Sequence, residues 1–200
     1  MLKLRKCTLG ELGSIYALFE SDFDKKELLP RPGVYKAVIR GDMELLAAFD
    51  EETRVDLAYA LVGCRGIYGC VWLKYLAVNP WYREKGLGAE TMRLLHKRYA
   101  DRQGIVAEIT DFSDPEDGGE TLRELRRFFN RFGYAEVDSD VRLGGVEDHV
   151  MVKPLRGAEA LSPVIHRVLL DFYSRVLSPA ALEKMVELRP FVQNGDGRAE

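Results

Sequence analysis

Histidine and cysteine are scarce, three of each in 200 residues, and scattered. Cys7, Cys64 and Cys70 form no C-x-x-C pair and the histidines stand at no ligand spacing, so neither a metal centre nor a disulfide framework is expected. Cys64 and Cys70 sit in apolar, strand-like surroundings, where a thiol behaves as a small hydrophobe. A basic excess is also lacking: 29 Lys and Arg against 32 Asp and Glu give a net charge of -3. That balance argues against a nucleic-acid partner and suits a cationic or amine substrate. No apolar run approaches a membrane span, and Met1-Leu2-Lys3-Leu4-Arg5-Lys6 is too short and too charged for a signal peptide, so a cytoplasmic protein with no membrane partner is expected. G-K-[ST] is absent, and so is the third glycine of a dinucleotide fingerprint, which removes two common phosphate sites.

The length suits one domain with an appended subdomain, and about two thirds of its surface should be buried on folding. Residues 2–6 alternate apolar and basic, as a short strand does. Thr8-x-x-Glu11 is a capping box, and Leu12, Ile15, Tyr16 and Phe19 follow at helical spacing. A charged, irregular stretch, 20–33, precedes a short helix around 34–39. Residues 43–49, 55–63 and 68–78 are three apolar, β-rich runs separated by turns, an antiparallel meander. Then come a helix over 86–100, a buried strand over 105–110, a loop over 113–119 and a helix carrying Leu122, Leu125, Phe129 and Phe132. Strands over 134–137 and 149–153 close the series. Ser162-Pro163 and Ser178-Pro179 each open a further helix. On the first of these, Ile165, Val168, Leu169, Phe172 and Val176 form an apolar stripe that must pack on the main domain or on a second subunit. The division expected is a domain over 1–155, a helical extension over 156–190 and a frayed tail over 191–200.

The stretch that carries chemistry runs from Tyr75 to Ala89. A strand ends at Val78, Asn79-Pro80 stops it, and a helix opens at Gly86-Leu87-Gly88-Ala89. Glycines there let a ligand approach the backbone closely, and the free N–H groups of a first helical turn, reinforced by the macrodipole, suit a pyrophosphate. Arg83 and Lys85 add positive charge at the rim. The competing reading is that both glycines serve only tight helix–strand packing.

Val78, Pro80, Arg83, Gly86, Gly88 and Ala89, in the pattern V-x-P-x-x-R-x-x-G-x-G-A, resemble the signature of the GCN5-related N-acetyltransferases. A second family segment, F-Y-x-x-x-G-F/Y, is similar to Phe128-Phe129-Asn130-Arg131-Phe132-Gly133-Tyr134, and the order of elements agrees over roughly residues 2–154. The resemblance implies a mixed α/β fold: a twisted, mostly antiparallel central sheet with one splayed strand pair, flanked by helices. It implies acetyl-CoA, or another acyl-CoA, as cosubstrate and direct acyl transfer to an amine of a small molecule or an exposed protein amino group. Leu76, Ala77 and Val78 would pair with the pantetheine as another strand would. Arg83, Glu84, Lys85, Gly86, Leu87, Gly88 and Ala89 would hold the pyrophosphate, mainly by N–H groups.

Glu108, on the strand beside the cofactor strand, is the candidate general base, because an attacking amine must lose a proton first. Its bland alternative is a solvated or arginine-paired carboxylate. Two positions depart from the family. Phe129 stands where many members place a tyrosine that protonates the leaving thiolate, and Lys74 stands near a common carboxylate. Lys74 must pair with an acid, point into the cleft or snorkel from the sheet. The departures keep open a non-catalytic acyl-CoA-binding sensor or interaction module, and a chance match within another α/β domain is the third reading. Residues 20–32, with Glu20, Asp22, Asp24 and Glu27, form the expected acceptor loop, and a homodimer through the C-terminal helices is compatible with the stripe.

Overall fold

The computed structural model describes residues 1–83, 85–110, 119–156 and 162–188. Glu84, the loop over 113–118 and the tail over 191–200 lie outside the described residues. The elements are β1 (Leu2–Lys6), α1 (Leu12–Asp22), α2 (Arg31–Arg40), β2 (Met43–Asp50), β3 (Asp56–Gly63), β4 (Cys70–Val78), α3 (Leu87–Arg98), β5 (Gly104–Thr110), α4 (Glu120–Arg131), β6 (Ala135–Leu143), β7 (Val146–Pro154), α5 (Ile165–Val176), α6 (Pro179–Met185) and β8 (Val186–Leu188). The strands form one sheet in the order β1-β2-β3-β4-β5-β7-β6-β8. Every neighbouring pair is antiparallel except β4 and β5, which run parallel.

Local chemistry explains the boundaries. The β2–β3 turn is closed by Asp50, whose Oδ1 accepts from Glu52 N, Thr53 N and the Thr53 hydroxyl. Gly41 ends α2 in the left-handed region at φ 74°, where a Cβ would be strained. The capping box forms differently from expectation. Glu11 accepts from both Thr8 N and the Thr8 hydroxyl while Arg5 forks onto it, and the regular helix starts only at Leu12. Ser178 caps α6 through Oγ to Ala181 N at 3.3 Å, whereas Ser162-Pro163 opens a single 3-10 turn before α5. The closing strands extend beyond 134–137 and 149–153, and β8 adds an eighth strand where no strand was expected.

Helices cover both faces of the sheet, which is why the meander strands are buried almost throughout. On one face Leu12 and Phe19 of α1, Val34 of α2 and Val168 and Phe172 of α5 pack against Leu45, Leu61, Trp72 and Val152. On the other, Met92 and Leu95 of α3 and Leu122 and Phe129 of α4 pack against Val62, Leu73, Ile105 and Met151. The seat of α5 is close. A Cβ at Gly66 would collide with the Phe172 ring, and one at Gly33 would collide with the Val176 carbonyl oxygen. The extension is thus built into the core of the first face.

Candidate active site

The parallel pairing of β4 with β5 runs from Cys70↔Gly104 to Leu73↔Ala107 and stops there. One residue later β4 bulges against β3: Leu61 faces Tyr75 and Val62 faces Leu73, leaving Lys74 as the extra residue. The bulge turns β4 away, so the sheet opens between 74–78 on one arm and 108–110 on the other. A pocket of about 650 Å³, part of it open to solvent, fills the opening. Its lining comes from both sides of the sheet: Phe23 and Glu27 from the α1–α2 loop, and Leu125, Phe128 and Phe129 from α4.

On the α4 side of this opening lies the stretch singled out by sequence. Leu76, Ala77 and Val78 keep their pairing to β3 through Ala60, Tyr59 and Ala58, while among the described residues no strand lies beside their opposite edge. Such an edge offers backbone donors and acceptors to an extended ligand. Gly86 sits at φ 72°, immediately before α3, and among the described residues no side-chain cap satisfies the helix. The first-turn N–H groups, at Leu87, Gly88 and Ala89, have no acceptor within an α-helix. A Cβ added at Gly86 would meet nothing within 4 Å, and one at Gly88 would meet only ordinary contacts, Val78 Cγ2 at 3.6 Å and Phe128 Cζ at 4.0 Å. Helix packing therefore does not require these glycines; they leave open space over free amides, as a phosphate needs. Arg83 is exposed and pairs with Asp22 Oδ1 at 2.6 Å, and the Lys85 ammonium lies over the Tyr82 ring at 5.4 Å.

A buried polar cluster occupies the other side. The Lys74 side chain is 3% exposed and pairs with Glu108 Oε2 at 2.9 Å. Glu108 also accepts from Trp72 Nε1 on Oε2 at 2.9 Å and from the Tyr173 hydroxyl on Oε1 at 2.7 Å. Lys74 donates to Tyr173 Oη at 3.2 Å, and its Nζ is 4.0 Å from Asp148 Oδ2. Burial works against the lysine's charge, but Glu108, Tyr173 and Asp148 outweigh it and hold its pKa well above the ordinary lysine value. The Tyr173 hydroxyl is pushed up by burial and by the Glu108 charge.

Glu27 reaches this cluster because its loop is pinned. The Tyr75 hydroxyl donates to the Glu27 carbonyl at 3.0 Å and accepts from Leu29 N at 2.8 Å, and the Tyr16 hydroxyl donates to the Leu29 carbonyl. Thr110 Oγ1 then lies 2.5 Å from Glu27 Oε2 and 2.7 Å from Asp148 Oδ1. Burial raises the Glu27 carboxyl, with Thr110 and Asp24 N opposing. Burial also pushes Asp148 up to about 7, with Lys74 pulling the other way and Glu108 adding to the rise.

The residues singled out by sequence thus fall on one opening: Leu76–Val78 on one arm, Gly86–Ala89 at the helix start beyond it, and Glu108 on the other arm. Sequence reasoning missed Thr110, Asp148 and Tyr173 as members of the cluster and named Glu27 only as one loop acid among four. Tyr173 belongs to an otherwise apolar helical stripe and carries no local signal. Asp148 stands in the polar stretch Glu147-Asp148-His149 ahead of an apolar run and carries no local signal either. Phe129 is buried edge-to-face against Phe128 and Tyr134, with ring centroids 5.6 and 5.0 Å away.

No protein-family model matches the sequence, and no curated protein does either. Solved structures do match in fold. A phosphinothricin acetyltransferase of the GNAT superfamily from Sinorhizobium meliloti, in complex with AcCoA, superposes with a TM-score of 0.56 at 17% identity, covering 80% of this chain and 91% of its own. NAA60 from Arabidopsis thaliana, in complex with a bisubstrate analogue, gives 0.58 at 14% identity over 79% and 100%. Spermidine N-acetyltransferase from Vibrio cholerae gives 0.58 at 10% over 80% and 98%. These likenesses, at 10–17% identity, show the fold: the chain has the fold of the GCN5-related N-acetyltransferases.

Proposed function

We propose that this protein transfers an acetyl group from acetyl-CoA to an amine, on a small molecule or an exposed protein amino group. The observation that carries the reading is the pocket through the parted sheet. A free strand edge and a helix start with open glycines lie on one side, and a buried, carboxylate-rich cluster lies on the other. Leu76, Ala77 and Val78 would hold the pantetheine, and Arg83, Lys85, Gly86, Leu87, Gly88 and Ala89, with Glu84, the pyrophosphate. Acetyl-CoA supplies an acetyl thioester whose sulfur is a good leaving group. The described lining holds Lys74 as its one cation against Glu27 and Glu108, so a cationic amine finds negative charge there. Phe23, Leu125, Phe128 and Phe129 give that amine an apolar channel.

Glu108, expected from sequence to be the base, spends three lone pairs on Trp72, Lys74 and Tyr173. Taking a proton there would break the ion pair that neutralises Lys74. We assign it to positioning Lys74, whose charge faces the place where negative charge develops during transfer. Phe129 offers no proton, and this supports the alternative of a binding module that keeps acyl-CoA without turning it over. Calorimetry with acetyl-CoA, followed by thiol release with a panel of amines, separates the readings. The expected result is binding and turnover in the wild type, with acetyl-CoA binding lost in Gly86→Val, whose side chain would enter the space over the amides. Equal affinity in Gly86→Val sinks the phosphate-site assignment, and binding without thiol release favours the module.

A further inference from the structure

Thr110 has one hydroxyl proton and two carboxyl groups on it. Its Oγ1 is 2.5 Å from Glu27 Oε2 and 2.7 Å from Asp148 Oδ1, and all three residues are buried. The hydroxyl donates to one of them; the other contact brings two oxygens equally close and needs a proton from the carboxyl itself. Charge arithmetic agrees. Glu108 already balances Lys74, so two further bare carboxylates here would leave two uncompensated buried charges. The Glu27–Thr110–Asp148 chain therefore holds one proton between its two acids.

Its ends differ. Glu27 lines the pocket and Asp148 does not. Asp148 Oδ2 has no hydrogen-bond partner among the described residues, and it faces the Lys74 ammonium at 4.0 Å. The geometry points to Glu27 as the group that takes the proton from the acceptor ammonium, with Thr110 and Asp148 as the relay that receives it. This rests on the acyl-transfer reading. The balance is simple. The incoming ammonium gives one proton to the singly protonated pair, which becomes a neutral diacid. The freed amine nitrogen bonds to the thioester carbonyl carbon, the C–S bond breaks and its electron pair leaves with sulfur. The second nitrogen proton goes to the thiolate, and the pair returns its proton to solvent. Among the described residues, the charged and titratable groups facing the chain are Lys74 and Tyr75 from β4, Glu108 from β5, Tyr173 from α5 and Asp24 from the loop itself. Burial lifts both acids, Asp148 to about 7, which suits a pair that must exchange a proton near neutrality.

The test uses the full chain, acetyl-CoA and phenethylamine, whose ring suits Phe23, Phe128 and Phe129, with other primary amines alongside. Glu27→Gln should lower kcat/KM about a hundredfold at neutral pH, the loss shrinking as pH rises and more amine arrives neutral. Acetyl-CoA affinity by calorimetry should not change. Thr110→Val should shift the pH–rate profile, and Thr110→Ser should restore it, which a purely structural role would not do. In the wild type, ¹³C NMR of labelled Glu and Asp carboxyl groups should show one carboxyl of the pair titrating near neutrality. Full turnover in Glu27→Gln, or both carboxyl groups titrating in the ordinary carboxylate range, overturns the assignment. Wild-type protein that binds acetyl-CoA but releases no thiol with any amine fails the acyl-transfer reading instead.

Discussion

A single lysine decides the character of the pocket, because a buried ammonium forces its neighbours into fixed roles. Lys74 and Glu108 have side chains 3% and 1% exposed, so neither charge can be left to water. Glu108→Gln keeps the shape of the side chain but strands the lysine, and removing one partner of such a pair costs about 3–5 kcal/mol. Lys74→Met with Glu108→Gln removes both charges and should recover much of that loss. Chemical denaturation of the wild type, the double variant, Lys74→Met and Glu108→Gln measures the coupling. The same variant separates two catalytic roles. If Glu108 positions Lys74, Glu108→Gln slows the reaction by a similar factor at every pH. If it were the base, the deficit would fade as pH rises. A fading deficit would return the base assignment to Glu108.

At the scale of elements, the site depends on a helix outside the signature. α5 supplies Tyr173 to Glu108 and stacks Phe172 on Trp72 at 5.4 Å, and glycines 63 and 66 clear the space for that ring. Phe172→Ala should cost about 3–5 kcal/mol, the range for emptying a buried aromatic position. Truncation after Leu155 should leave insoluble protein, since it bares the whole face that α5 covers. Melting of the point variant and soluble yield of the truncate check this; a truncate as stable as the full chain would show the extension to be dispensable. The elements that were legible in the sequence are those with strong local signals. The three meander strands, the Gly86 helix and the Ser178 cap each follow from periodicity or from one turn residue. β8 has three residues, too few for a period to show, and only its pairing to β6 makes it a strand. The candidate site was half legible. Val78, Gly86 and Gly88 mark the proposed cofactor side within a dozen residues. Glu27, Thr110, Asp148 and Tyr173 come from four separate elements, and nothing local says they meet.

At the scale of the whole molecule, the buried Asp148 and the half-buried His96 give stability opposite pH dependences. His96 packs between Phe132 and Tyr134, and burial, helped by Lys153, pushes its ring down to about 4. Its contribution is present above the ordinary histidine value and is lost as pH falls through about 4. Asp148 runs the other way. Its folded value, raised to about 7 chiefly by burial, lies above the value it returns to on unfolding. The folded chain therefore keeps a proton that the unfolded chain releases. That stabilisation is complete below the ordinary aspartate range and declines as pH rises to about 7. The two trends offset each other in the wild type, so the informative quantity is a difference between proteins. Asp148→Asn mimics the protonated acid and cannot lose its proton. Its advantage over the wild type in denaturant midpoint should be smallest at about pH 4 and should widen as pH rises to about 7. Parallel curves for the two proteins across that range would mean that Asp148 is already a bare carboxylate in the folded chain. The proton on the Thr110 bridge would then have to reside on Glu27.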